Sequence, residues 1–169
     1  MTDAPTVPAM SAPIRLDPAW PHWKRLRALI LDAFANMEGR IDPPSSAHRL
    51  TAAGMAEQAR SGEVWAIMEG DEPLACMFLT PRADALYLGK VAVRPDRQGR
   101  GLGRRLAWLA EQRARALGLP ALELQSRIEM AEIHTIYARL GFARTGETAH
   151  PGYDRPTSIT MRKELGAAP

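Results

Sequence analysis

The sequence predicts a single mixed α/β domain, and three observations carry that reading. Apolar residues recur at three- and four-residue steps in several separate stretches, which is the helical period. Between these lie short runs rich in aliphatic and aromatic residues, bounded by turn residues, which is the strand pattern. The stretches follow the order helix, helix, three strands, helix, strand, helix, two strands, which joins antiparallel pairs to parallel crossovers. A chain of 169 residues suits one such domain with a substantial core.

Residues 1–13 carry Pro5, Pro8 and Pro13 and little to bury, so a mobile tail is expected before a domain over 14–165, with 166–169 a short C-terminal tail. Ile14-Arg-Leu16 suits a short first strand. From Trp20 the pattern turns helical, with Trp23, Leu26, Leu29, Ile30, Ala33 and Phe34 on one face. Asn36-Met-Glu-Gly39 breaks it, and Pro43 and Pro44 make Arg40 to Ser46 a loop. A second helix is expected from Ala47 to Arg60, stopped by Gly62. Val64 to Met68 and Leu74 to Leu79 flank the polar turn Glu69-Gly-Asp-Glu72 and read as a hairpin. Ala85 to Val93 is the third strand of this group, and Gly89 in its middle predicts a bulge.

The next helix is expected to bury Leu102, Leu106, Leu109, Ala110, Ala114 and Leu117 and to end at Gly118 and Pro120. Ala121 to Gln125 is a strand. Met130 to Arg139 is helical, with Ile133, Ile136 and Leu140 on one side. Ser126 and Glu129 have capping-box spacing, which allows a start three residues earlier. Phe142 to Glu147 and Thr157 to Met161 read as closing strands around the turn-rich loop His150 to Pro156.

Composition narrows the function classes. Hydrophobic content of 46% and charged content of 24% are those of an ordinary globular domain. Twenty-two basic against 19 acidic groups is too balanced for a nucleic-acid binder. No stretch approaches the roughly 20 apolar residues of a membrane span, and the N-terminus lacks the basic and apolar blocks of a signal peptide. A cytoplasmic, reduced location is the default expectation. Cys76 is the single cysteine, so neither an internal disulfide nor a Cys-rich zinc site is available; it lies in an apolar run as a small core residue. No metal is called for.

The segment from Val91 to Arg105 carries the chemistry. It reads as a strand end, a turn with Gly99, Gly101 and Gly103, and a helix start. Bare glycines leave backbone N–H groups open at the positive end of a helix, which suits a phosphate, and Arg97, Arg100, Arg104 and Arg105 add charge around it. A P-loop is excluded because no G-x-x-x-x-G-K-[ST] string exists. A dinucleotide fingerprint fits poorly: Arg104 stands where its third glycine belongs, and the turn begins well after Val93.

Gln98-Gly-Arg-Gly-Leu-Gly103 fits Q/R-x-x-G-x-G/A after a Val-Ala-Val strand, and Tyr137-Ala-Arg-Leu-Gly-Phe142 closes a later helix. Together with the element order these resemble the GNAT (N-acetyltransferase) superfamily over about residues 14–165. The resemblance implies the acyl-CoA N-acyltransferase fold, a mostly antiparallel mixed sheet of about six to seven strands with about four helices. It also implies acetyl-CoA as co-substrate, held by Gln98, Gly99, Arg100, Gly101, Leu102, Gly103 and Arg104 and by the backbone of Val91, Ala92 and Val93. Tyr137 becomes the general acid for the departing thiolate.

Direct attack by a primary amine, on a small molecule or peptide, is the implied reaction. The alternative is a non-catalytic acyl-CoA-binding or regulatory module on the same fold. The strand before the glycine turn carries Tyr87 and Lys90 but no acid, so the base is open among Glu38, Asp42, His150 and a water chain. The acceptor loops are expected at Met37 to Ser46 and His150 to Pro156, with Glu38, Asp42, Tyr87 and His150 as candidate substrate contacts. Dimerisation is common among such proteins, and the sequence singles out no surface for it.

Overall fold

The computed structural model describes residues 10–166. A seven-stranded sheet runs in the order β1-β2-β3-β4-β5-β7-β6. Its strands are β1 (Ile14–Arg15), β2 (Glu63–Glu69), β3 (Glu72–Pro81), β4 (Leu86–Val93), β5 (Ala121–Arg127), β6 (Ala143–Thr148) and β7 (Ser158–Glu164). The helices are α1 (Trp23–Phe34), α2 (Ala52–Ser61), α3 (Leu102–Ala116) and α4 (Ala131–Arg139). Every neighbouring pair is antiparallel except β4 with β5. That exception follows from the connection: β4 reaches β5 through α3, and a helical crossover returns the chain in the same direction.

The sheet is covered on both faces. Leu16, Trp23, Leu26, Ile30 and Met55 from the α1–α2 side pack with Val64, Ala66, Cys76, Phe78 and Ala92. On the other face Leu102, Leu106, Ala110 and Ala114 of α3 pack with Ile67, Met77, Leu86, Leu88, Leu122 and Leu124. Cys76 is buried, as expected for a core residue, and that burial pushes its thiol up to about 12.

Several expectations are corrected. Ala47 to Arg60 is not one helix: a 3-10 turn over Ser46–Arg49 ends at an extended Leu50. Thr51 then caps α2 by accepting from the Gly54 N–H at 3.0 Å. Ser126 and Glu129 form no capping box, because β5 continues to Arg127 through pairing with β7. Leu117 and Ile136 are exposed rather than buried, and Leu109 is half-buried. The expected N-terminal tail lies mostly outside the described residues. Its last part is paired: Met10 bridges to Glu69, and Ser11 exchanges hydrogen bonds with Met68 on β2.

Candidate functional site

The parallel pair at the centre of the sheet is short. β4 meets β5 only at Leu86↔Leu122, Tyr87↔Glu123 and Leu88↔Leu124. Beyond that, β4 continues through Gly89 to Val93 and β5 through Gln125 to Arg127 with no pairing between them among the described residues. A bulge accompanies the divergence. Phe78 faces Gly89 while Cys76 faces Ala92, so Lys90 and Val91 together oppose Met77. The sequence pointed to Gly89, but the left-handed backbone falls on Lys90, at φ 48°. The result is a wedge in the sheet with the backbone of Val91, Ala92 and Val93 along one wall.

At the far end of β4 a 3-10 turn (Pro95–Arg97) leads into the glycine segment. Gln98 donates its side-chain amide to the Val93 carbonyl at 3.2 Å, which ties the turn back to the strand. Gly99 and Gly101 have φ of 76° and 81°, and nothing lies near their missing side chains. Glycine is needed there for the backbone conformation rather than for room. The first backbone bond of α3 runs from the Arg105 N–H to the Gly101 carbonyl at 3.0 Å. The N–H groups of Leu102, Gly103 and Arg104 precede it, and no side chain caps them.

The surrounding charge is narrower than the sequence suggested. Arg97 is taken by Glu69 through two bonds of 3.0 and 2.9 Å, and Arg105 donates to the Ser11 carbonyl at 3.3 Å. Arg100 and Arg104 have no carboxylate partner among the described residues and remain for an anion. A recess of about 400 Å³ beside them is lined by Pro13, Gly101, Arg104, Arg105, Trp108 and Leu109.

Tyr137 comes from α4, and its surroundings explain the Tyr-x-x-x-Gly-Phe spacing. Gly141 takes φ 97°, the Gly141 N–H donates to Ala138 O at 3.1 Å, and the Phe142 N–H donates to Tyr137 O at 3.0 Å. This helix ending folds Phe142 back under Tyr137, where the rings meet edge-on with centroids 5.4 Å apart. Burial pushes the phenol up to about 12, so it keeps its proton at neutral pH. Among the described residues its hydroxyl has no hydrogen-bond partner, and the O–H is free to donate.

The two loops expected around the acceptor do meet. Tyr153 donates its hydroxyl to Asp42 Oδ1 at 2.6 Å, and Arg155 pairs with Asp42 Oδ2 at 3.2 Å. The Asp42 N–H donates to Glu129 Oε2 at 2.9 Å, which anchors the first loop to the segment before α4. A recess of about 210 Å³ lies among Met37, Glu38, Gly39, Ile41, Pro44 and Ser45.

The four candidate acceptor contacts fare differently. Glu38 is engaged by His48 at 2.5 Å on the surface, and Asp42 is spent on Tyr153 and Arg155. Tyr87 sits in the paired part of β4 with the Arg82 guanidinium 3.8 Å above its ring. Burial raises its phenol, against the opposing pull of Arg82 and of the Gln125 backbone.

His150 is different. Thr157 Oγ1 donates to the Thr148 carbonyl at 3.4 Å and accepts from the His150 N–H at 2.9 Å. It also lies 2.5 Å from His150 Nδ1. In the tautomer that carries its proton on Nδ1, the lone pair lies on Nε2, which has no hydrogen-bond partner among the described residues. Burial, then the charges of Arg127 and Arg49, hold the imidazole below its ordinary value, so it is neutral at pH 7. No sequence signal marked Arg49 and Arg127, whose charges reach both His150 and Lys90 from two other elements.

A parallel pair that splays beside an uncapped, glycine-led helix start is the architecture of acyl-CoA-dependent N-acyltransferases. The chain belongs to the acetyltransferase (GNAT) family, whose model matches residues 23–142. Among curated proteins it is similar to the IAA acetyltransferase of Azospirillum brasilense, 38% identical over 76 residues. That match covers 45% of this chain and 49% of the relative, so the chain spans about half the length of that protein. Among solved structures, the PaiA N-acetyltransferase of Thermoplasma acidophilum, in complex with coenzyme A, superposes with a TM-score of 0.75 at 12% identity. The match covers 93% of this chain and 99% of that one. A GNAT family acetyltransferase of Elizabethkingia anophelis with acetyl-CoA bound gives 0.66 at 17% identity, over 92% and 98% of the two chains. At these identities the two structures establish the fold. Among the described residues no helix is long and apolar enough to cross a membrane.

Proposed function

We propose that the protein transfers the acetyl group of acetyl-CoA to a primary amine by direct attack within a ternary complex. The observation that carries this reading is the wedge between β4 and β5, with a phosphate-ready helix start following β4 and a free, proton-bearing phenol on α4. The pyrophosphate would lie on the N–H groups between Gln98 and Arg104, with Arg100 and Arg104 as counter-charges. The amide-bearing arm would pair along the backbone of Val91, Ala92 and Val93 as an added strand.

The acceptor arrives as an ammonium and must lose a proton first, since a lysine-like amine has a pKa of about 10.4. Of the named base candidates we take His150, whose Nε2, in the tautomer protonated at Nδ1, accepts that proton directly or through a water. The amine nitrogen then bonds to the thioester carbonyl carbon, the carbon–sulfur bond breaks, and Tyr137 gives its proton to the leaving sulfur. The neutral His150 also answers the absence of an acid on β4, the feature that favoured a binding module without catalysis.

The test is thiol release on mixing the protein and acetyl-CoA with a panel of amines and peptides. One or more acceptors are expected to gain an acetyl group by mass. Tight acetyl-CoA binding without turnover on any amine would favour the regulatory module instead.

A further inference from the structure

We infer that the acceptor is an amine that also carries a carboxylate, and that Lys90, Arg49 and Arg127 form the subsite that holds it. This rests on the acetyltransferase reading above and names its substrate class. The three cations come from separate elements and converge on the α1–α2 face of the wedge. Lys90, at the β4 bulge, donates from Nζ to Ser46 Oγ at 2.7 Å. Ser46 and Arg49 belong to the same 3-10 turn. Arg127, at the end of β5 across the wedge, donates from Nη2 to the Pro44 carbonyl at 3.0 Å.

Their mutual proximity shows in their titration. Lys90 is pushed down by burial and then by Arg127 and Arg49, and Arg127 is pushed down chiefly by burial, against the opposing pull of Glu129, Tyr153 and Asp42.

What these groups lack is a carboxylate. Elsewhere several partly buried cations are paired, Arg97 with Glu69, Arg113 with Glu63, Arg162 with Glu123 and Lys163 with Glu111, while Arg27, Arg105 and Arg115 rest singly on carbonyls. Around Lys90, Arg49 and Arg127 no such pair forms among the described residues. Asp42 is spent on Tyr153 and Arg155, and one Glu129 oxygen accepts from the Asp42 N–H. Glu129 makes no ion pair with Arg127, and Arg127 Nη1 and Glu129 Oε1 are both buried without a partner. His150 adds no opposing charge.

Three cations gathered with no ion pair of their own are costly unless a ligand supplies the missing charge. Lys90 keeps two unspent N–H donors and Arg127 a buried, unpartnered Nη1, a donor set that matches the two oxygens of a carboxylate.

The coenzyme phosphates are not the anion in question. The glycine turn leads into α3, and Tyr137 packs with α3 on the opposite face of the sheet. The Lys90 group is instead tied to the α1–α2 connection. An anion placed there would set a neighbouring amine near His150 Nε2 and the mouth of the wedge.

The experiment measures kcat and KM for thiol release with sets of amines on one skeleton: amino acid, amino acid amide, aminophosphonate and diamine. The amino acid is expected to exceed its amide in kcat/KM by tenfold or more, mainly through KM. Arg49→Gln and Lys90→Met should each shrink that ratio severalfold. Arg49 is exposed, so Arg49→Glu tests the idea without disturbing the core, and it should move preference toward the diamine. Calorimetry with acetyl-CoA on Arg49→Glu should give the affinity of the unaltered protein.

An amide or diamine used as well as the amino acid, with ratios unmoved by the variants, would overturn the subsite. A preference for the aminophosphonate would overturn the carboxylate assignment. Turnover confined to uncharged amines removes this inference and leaves the acetyltransferase reading standing. No turnover on any amine, with acetyl-CoA still bound, removes both.

Discussion

The seam between α3 and β2 and the wedge between β4 and β5 both set basic side chains at the margin of the core, but only the seam supplies them with carboxylates. At the seam, Arg113 reaches Glu63 through contacts of 2.7, 3.0 and 3.1 Å, and Arg15 approaches the same carboxylate at 3.2 Å. The Glu63 side chain is 5% exposed, so its charge is matched inside the fold. At the wedge, Lys90, Arg49 and Arg127 lean on neutral oxygens or on nothing, and the helix start at Gly101 is uncapped. The seam is complete without a ligand and serves stability. The wedge is left incomplete by the fold, as the proposed binding role requires.

That difference can be broken by substitution at each place. The largest effect is expected at the glycine turn. Gly101→Asp sets a carboxylate against the phosphates and should weaken acetyl-CoA binding at least a hundredfold by calorimetry, with little change in melting temperature. Gly101→Asn, which tolerates the same left-handed backbone without the charge, should retain most of the affinity. Equal losses in both would mean that backbone strain, not charge, governs the turn.

At the seam the pattern reverses. Glu63→Gln leaves Arg113 partly buried without its charge partner and should cost about 3 kcal/mol of stability in denaturant unfolding. KM for acetyl-CoA should not move. A loss of affinity with stability intact would show that the seam serves the site after all.

A smaller effect is expected at His150. Its neutral form is the proposed base and its pKa lies below the ordinary value of 6.5, so activity should hold at pH 7 and fall as pH drops through the acidic range. His150→Gln should lower the plateau by about tenfold and remove that acidic limb. An unchanged pH–rate profile would take His150 out of the proton path.

How much of this was legible in the sequence follows the same division. The glycine turn and the Tyr137 to Phe142 segment are local: each is a short run whose geometry is dictated by a helix end and by glycine at positive φ. The element order was readable too, because the periodicities are strong in α1, α3 and the central strands. What could not be read depends on distant residues meeting. The basic group joins positions 49, 90 and 127, and no local pattern links them. The contact of His150 Nδ1 with Thr157 forms across the turn that joins two strands. The charge of Arg97 was misjudged for the same reason, since Glu69 lies on another strand. The break at Leu50, by contrast, had a local signal that went unused, since Thr51 is favoured at a helix start and disfavoured inside one.

The central claim, that Tyr137 hands its proton to the departing thiolate, has a direct measurement in single-turnover thiol release by Tyr137→Phe. Acetyl-CoA and a competent amine should both be saturating, from pH 6 to pH 10. The phenol is held at about 12, so the unaltered enzyme should show no alkaline fall within that range. The variant should react about tenfold or more slowly at every pH, with acetyl-CoA affinity preserved. A variant that released thiol at the rate of the unaltered protein throughout would contradict the account.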